Sequence, residues 1–377
     1  MNRILLIIIF SFVLSQEDCQ GERYLDEIFD VSVQYEVQYG QNINETILGS
    51  QITENLYMDI YTPLNDSFEN RPIIFFMFGG SYVGGSKSSS DIVALCTKYA
   101  QRGYVAVAID YRLSQHLLFF NPSEENGYKA VVKAIHDVKA AIRYFRMNDE
   151  LYDDYKVDMS RVFTGGYSAG AVTAINAAYL NEYEEVPSFL IDDYDSIGGL
   201  EGLSGNSGYD SSFHGIVNLS GAVGNRDWIV EGDIPIVSMH GDQDDVVPYD
   251  DSLITLFGLN VAVDGSYIIN ERMLELGNYS SLHTYFNEGH GPYSNMNFEA
   301  EFSSDFLYEI VCGGIDYIIG DINNDTQVNV LDVVALVNFI LGVSIPDFNQ
   351  FEAGDINEDQ NLNVQDAILL INVILNS

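Results

Sequence analysis

Basic residues are scarce in this chain. Only 16 Lys and Arg stand against 56 Asp and Glu, a net charge of −40 over 377 residues. Nucleic acids and anionic membrane surfaces are held through a basic footprint, so neither is an expected partner. Long apolar stretches are scarce too. Ile4 to Leu14 is an apolar segment of 11 residues, too short to span a bilayer, and no later stretch approaches transmembrane length. With Met1-Asn2-Arg3 before it and Val13-Leu14-Ser15 closing it, the segment reads as a secretory signal peptide over 1–15. The mature protein is therefore expected to be exported, with no membrane association after cleavage. Cysteine is also sparse: Cys19, Cys96 and Cys312 leave at least one thiol unpaired. Ser15-Gln16-Glu17-Asp18 ahead of Cys19 is the wrong chemistry for a lipoprotein signal.

What is present is a long alternation of strand and helix patterns. Strand-like runs are Val31–Val37, Leu56–Tyr61, Ile73–Phe78, Tyr104–Ile109, Arg161–Tyr167, Gly215–Leu219, Ile234–Met239 and Leu282–Phe286. The middle ones are continuously apolar, as strands covered on both faces should be. Helix-like segments at Ser90–Arg102, Tyr128–Met147 and Ala169–Leu180 separate them. This order predicts an α/β fold with a mostly parallel eight-stranded sheet and helices on both faces. The length leaves room for a small second module. Glu182 to Ser212 is an acidic, Gly- and Ser-rich insertion, either a cap over the site or a surface loop.

Gly166-Tyr167-Ser168-Ala169-Gly170 falls where a predicted strand gives way to a predicted helix. G-x-S-x-G at such a junction is a nucleophile elbow, which exposes the serine hydroxyl above the sheet edge at a helix N-terminus. The hydroxyl needs a base, and the base needs a carboxylate to hold its tautomer. Both follow in the order Ser, Asp, His. His290 lies between glycines in Asn287-Glu288-Gly289-His290-Gly291, just past the last strand. The acid comes from His240-Gly241-Asp242-Gln243-Asp244-Asp245-Val246-Val247-Pro248, where Asp242 and Asp245 compete with Asp244 and the spacing favours Asp244. His240 reads as a strand-end histidine bonded to backbone. His116, His136, His214 and His283 carry no motif, and Asp110 with Arg112 reads as a buried ion pair. Phe78-Gly79-Gly80-Ser81-Tyr82 is a glycine-rich turn whose backbone N–H groups, with that of Ala169, could face a substrate carbonyl.

From Gly320 the character changes. Gly320-Asp321-Ile322-Asn323 recurs as Gly354-Asp355-Ile356-Asn357, and 12 of 23 aligned positions are identical. The repeated residues fall at the oxygen-donor positions of an EF-hand loop. They are Asp321, Asn323, Asp325, Asn329 and Asp332, then Asp355, Asn357, Asp359, Asn363 and Asp366, with Gln327 and Asn361 at the seventh position. An apolar helix follows each loop, Val333–Leu341 and Ala367–Leu375. Nine acidic and no basic residues lie between Gly320 and Ser377. Such a segment is expected to fold around two structural calcium ions.

These residues resemble known families. The two D-x-N-x-D-x₃-N-x₂-D loops over 319–377 look like a type I dockerin. The resemblance implies a cohesin-type scaffold partner and a bacterial source. Thr326 and Gln360 depart from it at the glycine position of the loops, and the pairs after the ninth ligand are not the expected small hydroxyl pairs. Within a catalytic domain expected over 16–318, residues from about 50 to 300 resemble an α/β-hydrolase of the carboxylesterase and hormone-sensitive-lipase-like type. The matching segments are Asn55 to Pro63, the glycine-rich turn, Gly84-Gly85-Ser86 and Asp110-Tyr111-Arg112-Leu113. Phe78 and Ser81 depart from the family's HGGG signature. The resemblance implies Ser168 as nucleophile, Asp244 as acid, His290 as base, and Gly80, Ser81 and Ala169 as the oxyanion hole. It further implies a serine esterase without a catalytic cofactor, and the dockerin-like tail favours acetyl or feruloyl groups of polysaccharides as its substrate. In that layout the helices bearing Cys96 and Cys312 cover one face of the sheet, so Cys96–Cys312 is the expected bridge. A serine peptidase of the same fold and a non-catalytic scaffold protein are the alternatives.

Overall fold

The computed structural model describes residues 19, 21–312, 319–323, 327–344, 346, 350, 353–357 and 362–376. The signal-peptide reading and the expected ligands Asp325, Asp359 and Asn361, together with Thr326 and Gln360, lie outside them. The chain divides into two units, Glu27–Ser303 and a second formed by the residues up to Asp26 with those from Ser304 onward. The sequence had placed this boundary later, at 318/319.

Strands with no polar face organise the first unit. β3 (Arg71–Met77) and β4 (Val105–Ile109) are buried at every position, which fits strands covered on both sides. Around them an eight-stranded sheet runs in the order β1-β2-β4-β3-β5-β6-β8-β11. Its members include β1 (Val31–Glu45), β2 (Gln51–Pro63), β5 (Val157–Tyr167), β6 (Ile216–Leu219), β8 (Ile236–Gly241) and β11 (Ser280–Tyr285). β1 pairs antiparallel with β2 and β2 with β4; every other pairing in the sheet is parallel. All eight expected strands are members, and their ends move by a few residues. A second sheet, β7-β10-β9, was not expected. It comprises β7 (Ala222–Val223), β9 (Asp251–Ile254) and β10 (Val261–Gly265).

The helices are α1 (Ser90–Gln101), α2 (Gln115–Phe120), α3 (Glu124–Leu151), α4 (Ala169–Tyr179), α5 (Tyr194–Ile197), α6 (Ser266–Glu275) and α7 (Asn297–Cys312). α3 starts firmly: the Ser123 side chain accepts from the Asn126 N–H, and Glu124 and Glu125 occupy the first turn, where carboxylates offset the free N–H groups.

Three expectations change here. Arg112 pairs with Asp137 of α3 at 2.8 Å, both side chains buried, rather than with Asp110. Asp110 instead accepts the Lys87 backbone N–H at 2.7 Å. The insertion 182–212 packs against α3 and β1: Glu201 meets Lys139 and Arg143, and Ser204 bonds Asp137 and Asn42. Last, the disulfide joins Cys19 to Cys312, and Cys96 is free. Cys96, on α1, is fully buried near Tyr61 of β2, and burial pushes its thiol pKa well up.

In the second unit, α8 (Val330–Ile340) and α9 (Val364–Asn376) share a small core of Ile322, Leu336, Ala353, Ala367 and Leu370. Each repeat supplies part of it, and the Gly320 N–H donates to the Ala353 carbonyl at 2.8 Å. Neither repeat could bury these residues alone.

Candidate active site

Ser168 sits at the junction of β5 and α4 with φ 54 and ψ −120, a backbone state that costs energy in a non-glycine residue. The chain around it leaves no room for side chains. A Cβ at Gly170 would come within 2.0 Å of the Met77 carbonyl oxygen, and one at Gly166 within 2.5 Å of the same atom. Both elbow glycines are therefore demanded by β3. The Ser168 N–H donates to Leu219 O at 2.8 Å, locking the turn to β6.

His290 reaches the serine from the loop after β11. Its Nε2 lies 2.9 Å from Ser168 Oγ, and its Nδ1 lies 2.6 Å from Asp244 Oδ2. Asp244 belongs to the loop after β8. The two loops touch so closely that a Cβ at Gly241 would fall 2.4 Å from the Gly289 carbonyl oxygen. Of the three acid candidates, Asp244 alone contacts His290. Asp242 accepts the Asn287 N–H at 2.6 Å and so braces the histidine loop, while Asp245 is exposed.

The Asp244 side chain is fully buried. Burial raises its pKa, but hydrogen bonds from His240 and His290, the charge of His290 and the Val246 N–H outweigh it. The carboxyl is held well below the usual range, so it stays ionised at neutral pH. Oδ1 accepts the Val246 and Val247 N–H groups at 2.9 and 3.0 Å. The second imidazole, His240, approaches Oδ2 at 3.0 Å. Its place at the end of β8 is as expected; its contact with the acid was not. Tyr167 stacks on His290 with ring centroids 5.2 Å apart, and burial with Asp244 nearby pushes its phenol up to about 12.

The turn after β3 faces the serine. Gly80, Ser81 and Tyr82 all have positive φ, at 129, 54 and 61. The Tyr82 hydroxyl donates to the Ala169 carbonyl at 2.9 Å, tying this turn to α4. Ser81 and Ala169 line the cavity beside Ser168; Gly80 is not among the lining residues. Phe78, at the histidine position of the related signature, is buried and stacked on Tyr111 with centroids 4.2 Å apart. It belongs to the core beneath the turn.

The cavity is apolar. Val172 and Leu180 form one wall, Leu118 and Val131 another, and Leu256 and Phe257 of the β9–β10 loop a third. Asn176 also lines it, but its amide donates to Val172 O and Ala222 O and accepts the Gly224 N–H. Among the described residues, none of 182–212 lines this cavity, so those residues do not cap it.

The repeated loops present a different chemistry. Asp321, Asp332, Asp355 and Asp366 are all buried, in a segment without Lys, Arg or His. Asp332 accepts the Ile322, Asn323 and Asn329 N–H groups, at 2.9, 3.1 and 2.7 Å. Asp366 accepts those of Asn357 and Asn363, at 3.4 and 2.9 Å. Each loop thus folds its first and last carboxylates inward. Buried carboxylates, with side-chain oxygens at the other repeated positions, fit a hard divalent cation such as calcium. Among the described residues no group of three His, Cys, Asp or Glu is placed to hold a metal ion.

Comparison with known proteins follows the same division. The BD-FAE family matches residues 58–224 and the Dockerin type I domain residues 319–375. Thermogutta terrifontis esterase 2 phosphoramylated by tabun is similar at 21% identity and a TM-score of 0.52, over 76% of this chain and 97% of that one. The same esterase phosphonylated by cyclosarin gives 21% and 0.51, over 74% and 94%. The propionate-bound thermophilic esterase from that species gives 21% and 0.50, over 72% and 94%. At such identity these likenesses speak for the fold. The chain thus carries a match to an esterase-like α/β-hydrolase family, BD-FAE, followed by a match to the type I dockerin domain.

Proposed function

We propose that the protein is a serine carboxylic-ester hydrolase working through an acyl-enzyme. The observation that carries this reading is the unbroken relay from Ser168 Oγ to His290 Nε2 at 2.9 Å and from His290 Nδ1 to Asp244 Oδ2 at 2.6 Å. In this reading His290 takes the serine proton as Oγ attacks the ester carbonyl, and Asp244 stabilises the resulting imidazolium. Charge on the carbonyl oxygen is met by the Ser81 and Ala169 N–H groups, with Gly80 shaping the turn that presents Ser81. His290 then protonates the leaving alcohol, and water repeats the cycle on the acyl-serine.

The cavity supports an apolar acyl group. Its one amide is spent on backbone, and most of the lining side chains are apolar, with Ser81, Tyr82 and Tyr128 the other polar ones beside Ser168. Each methylene buried contributes about 0.8 kcal/mol, roughly fourfold in kcat/KM. Between the two acyl groups implied by the sequence, feruloyl suits such walls better than acetyl. A series of p-nitrophenyl esters, run beside methyl ferulate and acetylated xylan, tests it: kcat/KM should climb with acyl size, and a preference for acetyl overturns the assignment.

The dockerin module supports export, two structural calcium ions and a cohesin-type scaffold partner. Asp321, Asn323, Asp325, Gln327, Asn329 and Asp332 would hold one ion. Asp355, Asn357, Asp359, Asn361, Asn363 and Asp366 would hold the other. Calorimetry on the full chain tests the ions, with two calcium-dependent transitions expected.

A further inference from the structure

His240 is the most enclosed ionisable group beside the relay, and the hydrolysis described above assigns it nothing. It is fully buried. Its Nε2 faces two acceptors, Asp244 Oδ2 and Val247 O, each at 3.0 Å. An imidazole nitrogen between two acceptors must carry its proton. Its Nδ1 lies 2.7 Å from Ser266 Oγ at the start of α6. That hydroxyl in turn accepts from Asn218 Nδ2 at 2.8 Å and also reaches the Gly221 carbonyl at 3.3 Å. Whichever way it turns, the Nε2 proton stays on the side of Asp244 and Val247. Asp244 consequently has four donors, two backbone N–H groups on Oδ1 and two imidazoles on Oδ2.

We propose that His240 is a positioning residue for catalysis: its Nε2–H shares Asp244 Oδ2 with His290 and sets how strongly that carboxylate holds the His290 ring. The proposal rests on the relay reading given above. Its physics is simple. A donor on Oδ2 draws charge away from the carboxylate and fixes its plane, so the His290 imidazolium is stabilised less than it would be by Asp244 alone. Take the donor away, and His290 becomes harder to deprotonate. The groups facing this pair are few. His290 arrives from the loop after β11 with the Tyr167 ring of β5 stacked on it. Tyr249 stands edge-on to His240 at 5.6 Å, with its hydroxyl bonded to Thr284 of β11. Ser266 comes from α6.

The experiment is the pH profile of kcat/KM on a p-nitrophenyl ester for the full chain. The variants are His240→Leu, His240→Gln and Ser266→Ala, each checked for folding by circular dichroism. His240→Leu should move the acid limb to higher pH. It should also lower kcat on the order of 10–100-fold, as removing the outer partners of metal-bound histidines does. KM should stay unchanged, because His240 is not among the cavity-lining residues. His240→Gln, which returns an N–H near the Nε2 position, should bring the limb back toward the wild type. Ser266→Ala keeps the ring but loosens it, so it should shift the limb the same way by less. This last variant decides the matter if His240→Leu does not fold. Folded variants whose acid limb stays at the wild-type pH, with a loss uniform across pH, would overturn the proposal and leave His240 a packing residue. Failure of the relay itself reads differently, as activity surviving in Ser168→Ala.

Discussion

Both units of this protein bury carboxylates, and they satisfy them by opposite means. Asp244 sits in the hydrolase unit among four protein donors, three from within a few residues of it and one, His290, from 46 positions on. Asp321, Asp332, Asp355 and Asp366 sit buried in the dockerin unit, Asp332 and Asp366 accepting backbone N–H groups, with no basic side chain in the last 58 residues. An anion removed from water must be paired or hydrogen-bonded to be tolerated. The first unit therefore carries its compensation in its own imidazoles and N–H groups, while the second, on the function proposed above, takes part of its compensation from calcium. One can be expected to hold its shape in any buffer near neutrality; the other should depend on what is dissolved in it.

The comparison is broken most directly at the serine. Ser168→Ala should cut ester turnover on the order of a million-fold while calcium binding is untouched, measured by p-nitrophenyl ester assay beside calorimetry. Retained hydrolysis would remove the relay from the argument. Next in size is the acid. Asp244→Asn leaves the geometry but sets the wrong His290 tautomer, and ~10⁴-fold of kcat should go; Asp245→Asn, at an exposed position, should change little. A larger loss from Asp245→Asn would move the acid by one residue. The dockerin unit is probed with chelator: helix signal from 319–377 should fall and return with calcium, while esterase activity persists. Activity lost together with that helix would show that the two units are not independent.

The smallest expected effect sharpens the picture of the hydrolase unit. His136 is buried with its Nε2 on the Gly199 carbonyl. Burial, with Arg112 nearby, lowers its pKa to about 4, against about 6.5 in an unfolded chain. Between those values the unfolded state binds the extra proton, so stability should fall as pH drops from 6.5 toward 4. By pH 5 the loss is about 2 kcal/mol. Urea melts of the wild type and His136→Gln at pH 7 and 5 check this; equal pH slopes would mean the imidazole charges inside the fold.

The sequence was most readable where one segment decides the outcome alone. Ile73 to Phe78 and Tyr104 to Ile109 are apolar on both faces, so their place in the middle of a parallel sheet could be seen at once. The elbow was readable because Gly166 and Gly170 are required by the approach of the Met77 carbonyl, and a glycine pair at that spacing has few other reasons to exist. The repeated calcium-loop pattern was equally plain. What stayed hidden depends on distant partners. Arg112 goes to Asp137, 25 positions on, and nothing beside Arg112 announces it. The second sheet is made of strands of two to five residues, one of them largely exposed, too short to show a period. The cavity wall comes from α2, α3 and the β9–β10 loop, and the insertion that had looked like a cap is anchored by Glu201 and Ser204 on another face of α3. His240 could have been found: a histidine four residues before the acid, at the end of the same strand, is placed to meet it across the turn.

The Cys19–Cys312 bridge makes the molecule, covalently, a ring with a tail. The covalent ring takes in all of Glu27–Ser303, and the dockerin repeats follow it along the chain. A protease cut anywhere within the ring opens it without releasing a fragment, whereas a cut beyond Cys312 frees the tail at once. On a gel the first event is invisible until a reductant is added, and the second is visible without one. Damage to the catalytic part is therefore retained in a single molecule, while the docking part can be shed cleanly.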